Sequence, residues 1–279
     1  MLDAVDKKIM LSFLKDGRVP VRQISKEVGL STTAVYYRFS KLLQGKVIKS
    51  FSLYINPNFY CKYFGVVGFK TAKDIDADFL NVKIKSLDGR VFYEFEGSST
   101  EELTEKLSYM SNILGEPEMI YIPEQVPLKP SGVDIEITKV LMKNPRMKLA
   151  QISSILGIPP KSVKHRIRTL VSKKYVRVVP IIDLGKSDIV VFSVYSSEVS
   201  KLLKLLQKCE FLSFVDRDRG VILCAVYDLK EAEMYIREVK QIDPSSSVMI
   251  VTDYEIRNEN AERELERIEK EALEKVNGD

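Results

Sequence analysis

The run Ile24-Ser25-Lys26-Glu27-Val28-Gly29-Leu30-Ser31-Thr32-Thr33-Ala34-Val35-Tyr36-Tyr37-Arg38-Phe39-Ser40-Lys41-Leu42 reads as the end of one helix, a sharp turn and a second helix. Ile24 and Val28 are four apart and fall on one face. Gly29 supplies the left-handed backbone that such a turn needs, and Ser31 is placed to accept an orphan amide as N-cap. Val35, Phe39 and Leu42 then recur at spacings of four and three, which makes one face of the second helix core. The other face carries Thr32, Thr33, Tyr36, Tyr37, Ser40 and Lys41. Hydroxyls, aromatics and a cation there are unlike the Glu/Lys mixture of an idle surface helix.

Upstream, Val5, Ile9, Leu11 and Leu14 give an amphipathic first helix, expected to stop at Asp16-Gly17 with glycine as a left-handed cap. Downstream, Val47, Ile48, Phe51, Leu53 and Ile55 read as β structure ending at Asn56-Pro57, a wing. The unit is therefore a winged helix-turn-helix.

The same layout returns without a gap when 128 is added to the numbering. Asp6 falls on Asp134, Ile9 on Ile137, Ile24 on Ile152, Gly29 on Gly157, Val35 on Val163, Arg38 on Arg166, Leu42 on Leu170 and Lys46 on Lys174. Because exposed and apolar positions both agree, a shared apolar period does not explain the match and duplication does. In the second copy Ile137, Val140 and Leu141, then Ile152, Ile155 and Leu156, then Val163, Ile167 and Leu170 are expected to face inward. Pro159 and Pro160 open its third helix, where proline costs no hydrogen bond.

Charge follows the repeat. The chain has 279 residues and a net charge of +4. Residues 1–50 hold 10 Lys+Arg against 4 Asp+Glu, a balance of +6, and residues 129–180 hold 12 against 2, a balance of +10. The rest is acidic. Two compact basic blocks in an acidic chain suit a polyanion, since cations near phosphates gain affinity by releasing counterions. The candidate base-reading residues are Thr32, Thr33, Tyr36 and Tyr37 in one copy and Lys161, Ser162, Lys164 and His165 in the other. The candidate phosphate contacts are Arg38, Lys41, Lys46, Lys49, Arg166, Arg168, Lys173 and Lys174. For Arg38 and Arg166 an ion pair with an acidic residue of the first helix competes with that role.

Between and after the basic blocks the rhythm changes to strand-helix alternation. Strands are expected at 64–69, 91–95 and 119–122 with helices at 74–85 and 100–113, then strands at 189–195, 212–216, 221–227 and 248–251 with helices at 199–208 and 229–241. The fold class is α+β: two winged helix-turn-helix domains (1–57 and 133–183) alternate with two ferredoxin-like α/β sandwich domains (58–125 and 184–253). A linker at 126–132 divides the halves, and a charged helix at 254–279 carries Leu265, Ile268, Ala272 and Val276 on one stripe. That stripe suits either an oligomer contact or packing on its own chain.

On these residues each half resembles an Lrp/AsnC-type transcription regulator. Asp6-Lys7-Lys8-Ile9, Gly17-Arg18, Ile24 to Ser31, Val35-Tyr36-Tyr37-Arg38, Val47-Ile48 and Asn56-Pro57 carry the resemblance. The second copy departs at Pro145 and Pro159, where the family usually has Gly and Ser. The resemblance implies double-stranded DNA as partner, read by the third helix of each module. It also implies an intrachain pseudo-dimer of the two halves in a tandem chain, with a homodimer through the ferredoxin-like domains or the last helix as a further state. An amino-acid effector is a partner it would also bring, but Glu96-Gly97-Ser98-Ser99 and Arg219-Gly220-Val221-Ile222 lack the family's Gly-x-x-Asp turn.

The rival class is an enzyme, since a branch similar to this family decarboxylates a siroheme-type tetrapyrrole. A single histidine, His165, in the DNA-facing helix and the lack of a P-loop or carboxylate dyad motif speak for no catalysis, no metal and no cofactor. A nonspecific architectural DNA-binding protein is the third reading. Cys61, Cys209 and Cys224 have no CxxC spacing and read as core cysteines. No apolar run suggests a membrane span, so a cytoplasmic location is expected.

Overall fold

The computed structural model of the chain describes residues 2–277, apart from the side chains of residues 273 and 275–277. The chain divides into two compact units, each made of three segments: unit 1 comprises Met1–Phe51, Ile84–Val91 and Val179–Glu255, and unit 2 comprises Ser52–Lys83, Phe92–Val178 and Ile256–Asp279. Each unit thus combines one helical module with most of the α+β domain of the other half.

In unit 1 the helical module is α1 (Ala4–Lys15), α2 (Val21–Val28) and α3 (Thr32–Gln44). Ile9, Phe13, Ile24, Val35, Phe39 and Leu42 form its core. The Phe13 ring lies 4.8 Å from Phe39 in a tilted contact and 5.4 Å from Phe51 edge to face. Met10 and Phe13 are buried although the sequence pattern did not select them. The end of α1 differs from expectation. Asp16 is extended, not Gly17 left-handed; its N–H donates to Ser12 C=O and its carboxylate accepts from Arg18 N–H, so the side chain replaces the glycine cap.

The α+β part of unit 1 follows the short α8 (Leu184–Ser187) and runs β7 (Val190–Ser196), α9 (Val199–Leu206), β8 (Glu210–Asp216), β9 (Arg219–Val226), α10 (Leu229–Ile242) and β10 (Ser247–Ile256). Its antiparallel order is β10-β7-β9-β8. This is the last-first-third-second order of a ferredoxin-like sheet, with Phe192, Leu202, Leu206, Tyr235 and Val239 among its core. Unit 1 also holds the turn at Ile84–Val91. There Leu87 N–H donates to Ile250 C=O at 2.9 Å, and the Arg90 guanidinium reaches Ser247 Oγ and Val248 C=O.

In unit 2 the second helical module is α5 (Gly132–Lys143), α6 (Leu149–Leu156) and α7 (Pro160–Ser172), cored by Ile137, Leu141, Ile152, Val163, Ile167 and Leu170. Ile155, expected inward, is 58% exposed. The repeat explains why: Ile155 stands where the first copy has Glu27, an exposed position.

The α+β part of unit 2 has β2 (Tyr63–Lys70), most of β3 (Leu80–Ser86) and of β4 (Arg90–Gly97), α4 (Thr100–Leu114) and β5 (Pro117–Tyr121), in the order β5-β2-β4-β3. The order is again last-first-third-second, but the helix expected at 74–85 is absent. Asp74 holds an extended path by accepting from Ile75 N–H, Tyr93 Oη and Lys83 Nζ. Leu80, Val82 and Ile84 then alternate as a strand.

A polar cluster is buried in unit 2. Tyr54 Oη donates to Glu94 at 2.9 Å, Tyr60 Oη donates to Glu96 at 2.6 Å, and Asn81 bridges Glu96 and Asn260. Glu94 Oε1 has no hydrogen-bond partner among the described residues. Burial, then the neighbouring Glu96 charge, push the Glu94 carboxyl up to about 8 against the hydrogen bond from Tyr54. Burial raises Glu96 as well.

The last helix, α11 (Glu259–Asn277), begins after β10, which extends to Ile256 and so takes residues 254–256 from the expected helix. Ala261, Leu265 and Ile268 are buried, and Lys139 on α5 pairs with Glu269 at 2.8 Å. The helix therefore packs on its own chain. Ala272 is exposed, and the Val276 side chain lies outside the described residues.

Among the described residues the wing strand pairs with a strand of the other half. Strand β1 (Ile48–Ile55) pairs with β6 (Val176–Ile182). In unit 1 Asp183 N–H donates to Val47 C=O, and in unit 2 Asn56 N–H donates to Tyr175 C=O, both at 2.8 Å. A single eight-residue strand must satisfy its backbone somewhere, and the equivalent strand of the other copy does so.

Candidate nucleic-acid interface

Two third helices carry the candidate site, and each is fixed from three directions. The turn before α3 places Gly29 at φ 69°, and the turn before α7 places Gly157 at φ 64°. Ser31 Oγ accepts from Ala34 N–H at 3.1 Å, while Pro159 and Pro160 pre-set the start of α7. At the far ends Lys46 and Lys174 adopt left-handed φ of 52° and 58°, uncommon for residues with a side chain. Their N–H groups return to Leu43 and Val171 C=O at 3.1 and 3.0 Å. These angles recur at matching repeat positions, so both helices leave for their strands by the same turn.

The third restraint is ionic. Arg38 Nη1 lies 2.7 Å from Asp3 and 2.9 Å from Asp6. Arg166 Nη1 lies 2.9 Å from Asp134 and 3.2 Å from Ser131 Oγ. The hydrogen bond to Asp6, then that to Asp3, raises the Arg38 guanidinium above its ordinary value. The Asp6 amide, ahead of Arg38, holds Asp3 below the usual carboxylate range. Arg38 and Arg166, expected at phosphates, are thus engaged with carboxylates at the start of the first helix. The physical reason is reach: α1 and α5 present an acidic first turn directly beside the third helix.

The remaining expected residues lie on the open side. Tyr36 and Tyr37 are 61% and 60% exposed, opposite Val35 and Phe39 in the core. Thr32, Thr33, Lys41, Lys46 and Lys49 are exposed as well. Lys41 Nζ sits 4.7 Å over the Tyr37 ring, so a cation and an aromatic face form one contact element. Thr32 Oγ1 is 3.2 Å from Ser25 Oγ, which orients it at the helix start. Lys49 stands 4.0 Å from Asp183, a loose pair that leaves it available.

In the second module Lys161, Ser162, Lys164, His165, Arg168, Lys173 and Lys174 are exposed. Lys161, Ser162 and His165 line a cleft of about 600 Å³ whose wall includes Asp134 and Arg166. Arg22 and Lys26, both exposed on α2, are further cations that the sequence reading passed over. Their counterparts in the second copy are Ala150 and Ser154, so the repeat gave no signal for them.

Chemically the two faces offer hydroxyl donors and acceptors, aromatic surfaces and exposed ammonium groups on and beside their helices. Among the described residues no group of three His, Cys, Asp or Glu side chains could hold a metal ion. Among them no helix is long and apolar enough to cross a membrane.

Comparison with known proteins places the modules. Residues 2–43 match the AsnC-type helix-turn-helix domain, and residues 131–177 match the winged helix-turn-helix DNA-binding family. The HTH-type transcriptional regulator FL11 of Pyrococcus furiosus is 44% identical over 57 residues, 20% of this chain and 38% of that protein. The HTH-type transcriptional regulator LrpA of Pyrococcus horikoshii is 39% identical over 57 residues, 20% of this chain and 40% of that protein. The matched region thus spans about two fifths of these relatives. Among solved structures, the siroheme decarboxylase NirDL aligns over 97% of this chain and 99% of its own at 10% identity and a TM-score of 0.45. An AsnC family transcriptional regulator from Agrobacterium tumefaciens aligns over 46% of this chain and 94% of its own at 17% identity and a TM-score of 0.32. The chain thus carries an AsnC-type helix-turn-helix domain at its amino-terminal end, and a second winged helix-turn-helix domain follows it in the same polypeptide.

Proposed function

We propose that the chain is a transcription regulator that binds double-stranded DNA sequence-specifically through two non-identical recognition helices. The observation that carries this reading is the pair Tyr36 and Tyr37, large side chains more than half exposed on a helix whose opposite face is fully buried. A surface helix gains nothing from exposing two adjacent tyrosines unless a partner covers them. In this reading Thr32, Thr33, Tyr36 and Tyr37 contact bases in one half-site, and Lys161, Ser162, Lys164 and His165 in the other. Lys41, Lys46, Lys49, Arg168, Lys173 and Lys174 contact phosphates, joined by Arg22 and Lys26. Arg38 and Arg166 position their helices.

The two halves act as a pseudo-dimer within one chain. Support comes from the make-up of the units, each of which gathers the helical module of one half with α+β strands of the other. The names of the matched relatives, HTH-type transcriptional regulators, agree with this role.

Selection of bound fragments from randomised DNA, followed by footprinting of the intact chain, tests the proposal. The expected result is one protected site per chain with two dissimilar half-sites about one helical turn (roughly 34–36 Å) or a multiple apart. Enrichment of no sequence, with affinity governed by salt alone, would instead mark a nonspecific coat. Two identical half-sites per chain would refute the asymmetric reading.

A further inference from the structure

We propose that Cys209 and Cys224 form a redox modification site, a thiol pair that a small peroxide converts to one intramolecular disulfide. The two residues are distant from any CxxC spacing, and it is the register of the β8–β9 pair that brings them together. Glu210 stands opposite Cys224, and Ala225 N–H donates to Cys209 C=O at 2.9 Å. The two Sγ atoms are 2.8 Å apart, inside the roughly 3.5–4.0 Å at which apolar atoms rest. The backbone hydrogen bond between the two segments and the close approach of the sulfurs place the pair where a disulfide can form.

Both thiols are free and buried among Leu206, Tyr235 and Val239. Burial pushes the Cys224 thiol far up, which keeps it protonated. Cys209 borders a cavity of about 430 Å³ in unit 1, walled also by Leu11, Ser12 and Lys15 of α1 and by Tyr235. Lys15 Nζ donates to the C=O of Lys208, the residue before it, at 2.6 Å, so an ammonium stands beside the pair.

The step balances with peroxide as oxidant. The Cys209 sulfur attacks one peroxide oxygen, the O–O bond breaks, and a sulfenic acid and one water result. The Cys224 sulfur then attacks the Cys209 sulfur, the S–O bond breaks, the S–S bond forms, and a second water leaves with the Cys224 proton. Two thiols lose two hydrogens and two electrons, and the peroxide is reduced to two waters.

The experiment treats the full chain with hydrogen peroxide, then unfolds and alkylates it and digests it with trypsin. The expected product is lighter by two hydrogens, retains one alkylatable thiol, Cys61, and yields a linked pair of peptides, Cys209–Arg217 joined to Gly220–Lys230. Cys61→Ser leaves this product in place, whereas Cys209→Ser and Cys224→Ser each abolish it, with melting curves confirming that the variants fold. Three alkylatable thiols after a treatment that fully oxidises added N-acetylcysteine overturn the proposal. So does a linkage through Cys61, or separate oxidation of Cys209 and Cys224 without a link.

Discussion

Replacing Glu94 by glutamine in the buried cluster of unit 2 should change how stability depends on pH. In the unfolded chain this carboxyl releases its proton near its ordinary value of 4.5, whereas in the folded protein it does so at about 8. Between these values the folded state binds one more proton than the unfolded state, so raising the pH through this window costs stability. Below 4.5 both states are protonated and the residue contributes no slope; above 8 both are ionised and the loss is complete. At about 1.4 kcal/mol per unit, the interval gives an upper bound of about 5 kcal/mol, reduced by whatever water or relaxation reaches the ionised carboxylate. Glutamine keeps an acceptor for Tyr54 and cannot ionise. Urea unfolding of the wild type and Glu94→Gln at several pH values from 4.5 to 9 measures the effect. The wild type should lose several kcal/mol relative to the variant across that range, with a shallower residual slope in the variant from Glu96, whose carboxyl burial also raises. Parallel curves would show that Glu94 ionises freely in the folded state and would refute the reasoning.

Single alanines at Tyr36 and Tyr37 should weaken binding to the selected DNA site by about 1–3 kcal/mol each, read by fluorescence anisotropy. Their exposure predicts melting temperatures near that of the wild type. Lys49→Ala with Lys173→Ala should weaken binding to every sequence alike and flatten the salt dependence by about one unit of slope per lysine. Gly29→Ala should destabilise by about 1 kcal/mol because its φ is 69°, although nothing lies within 4 Å of the added methyl. Gly157→Ala, at φ 64° and equally open, should cost a similar amount, and calorimetry of the two variants checks the equivalence of the copies.

The helical modules were legible because two independent regularities agree in them. Apolar residues at spacings of three and four mark the inward face, and the 128-residue offset repeats both the cores and the turns. The α+β part of unit 2 was harder. Ile75, Phe79 and Val82 stand four and three apart and imitate a helix, while Leu80, Val82 and Ile84 alternate as a strand. The choice is made by Asp74, whose partners Lys83 and Tyr93 come from strands that only the folded sheet assembles. The buried acids escaped for the same reason, since Tyr54 and Tyr60 are supplied from a distant part of the chain. Likewise, no sequence spacing announces Cys209 and Cys224, because a hairpin register defines their proximity.

The candidate site shows where duplication kept residues and where it did not. Asp6 and Arg38 pair in the first copy as Asp134 and Arg166 do in the second, at the same 2.9 Å. The repeat already contained that partnership, because both members of each pair share the offset. A phosphate contact needs only a cation, whereas an internal ion pair needs two residues to persist together, and both persist. On the open faces the matching positions diverge: Thr33 against Lys161, Tyr36 against Lys164, Tyr37 against His165 and Ser40 against Arg168. Beneath them the core keeps Val35 as Val163 and Leu42 as Leu170, while Phe39 is matched by Ile167. Two faces reading the same bases would need the same donors and acceptors in the same places. Divergence across the exposed side is the pattern expected if the two modules address unlike halves of a single site.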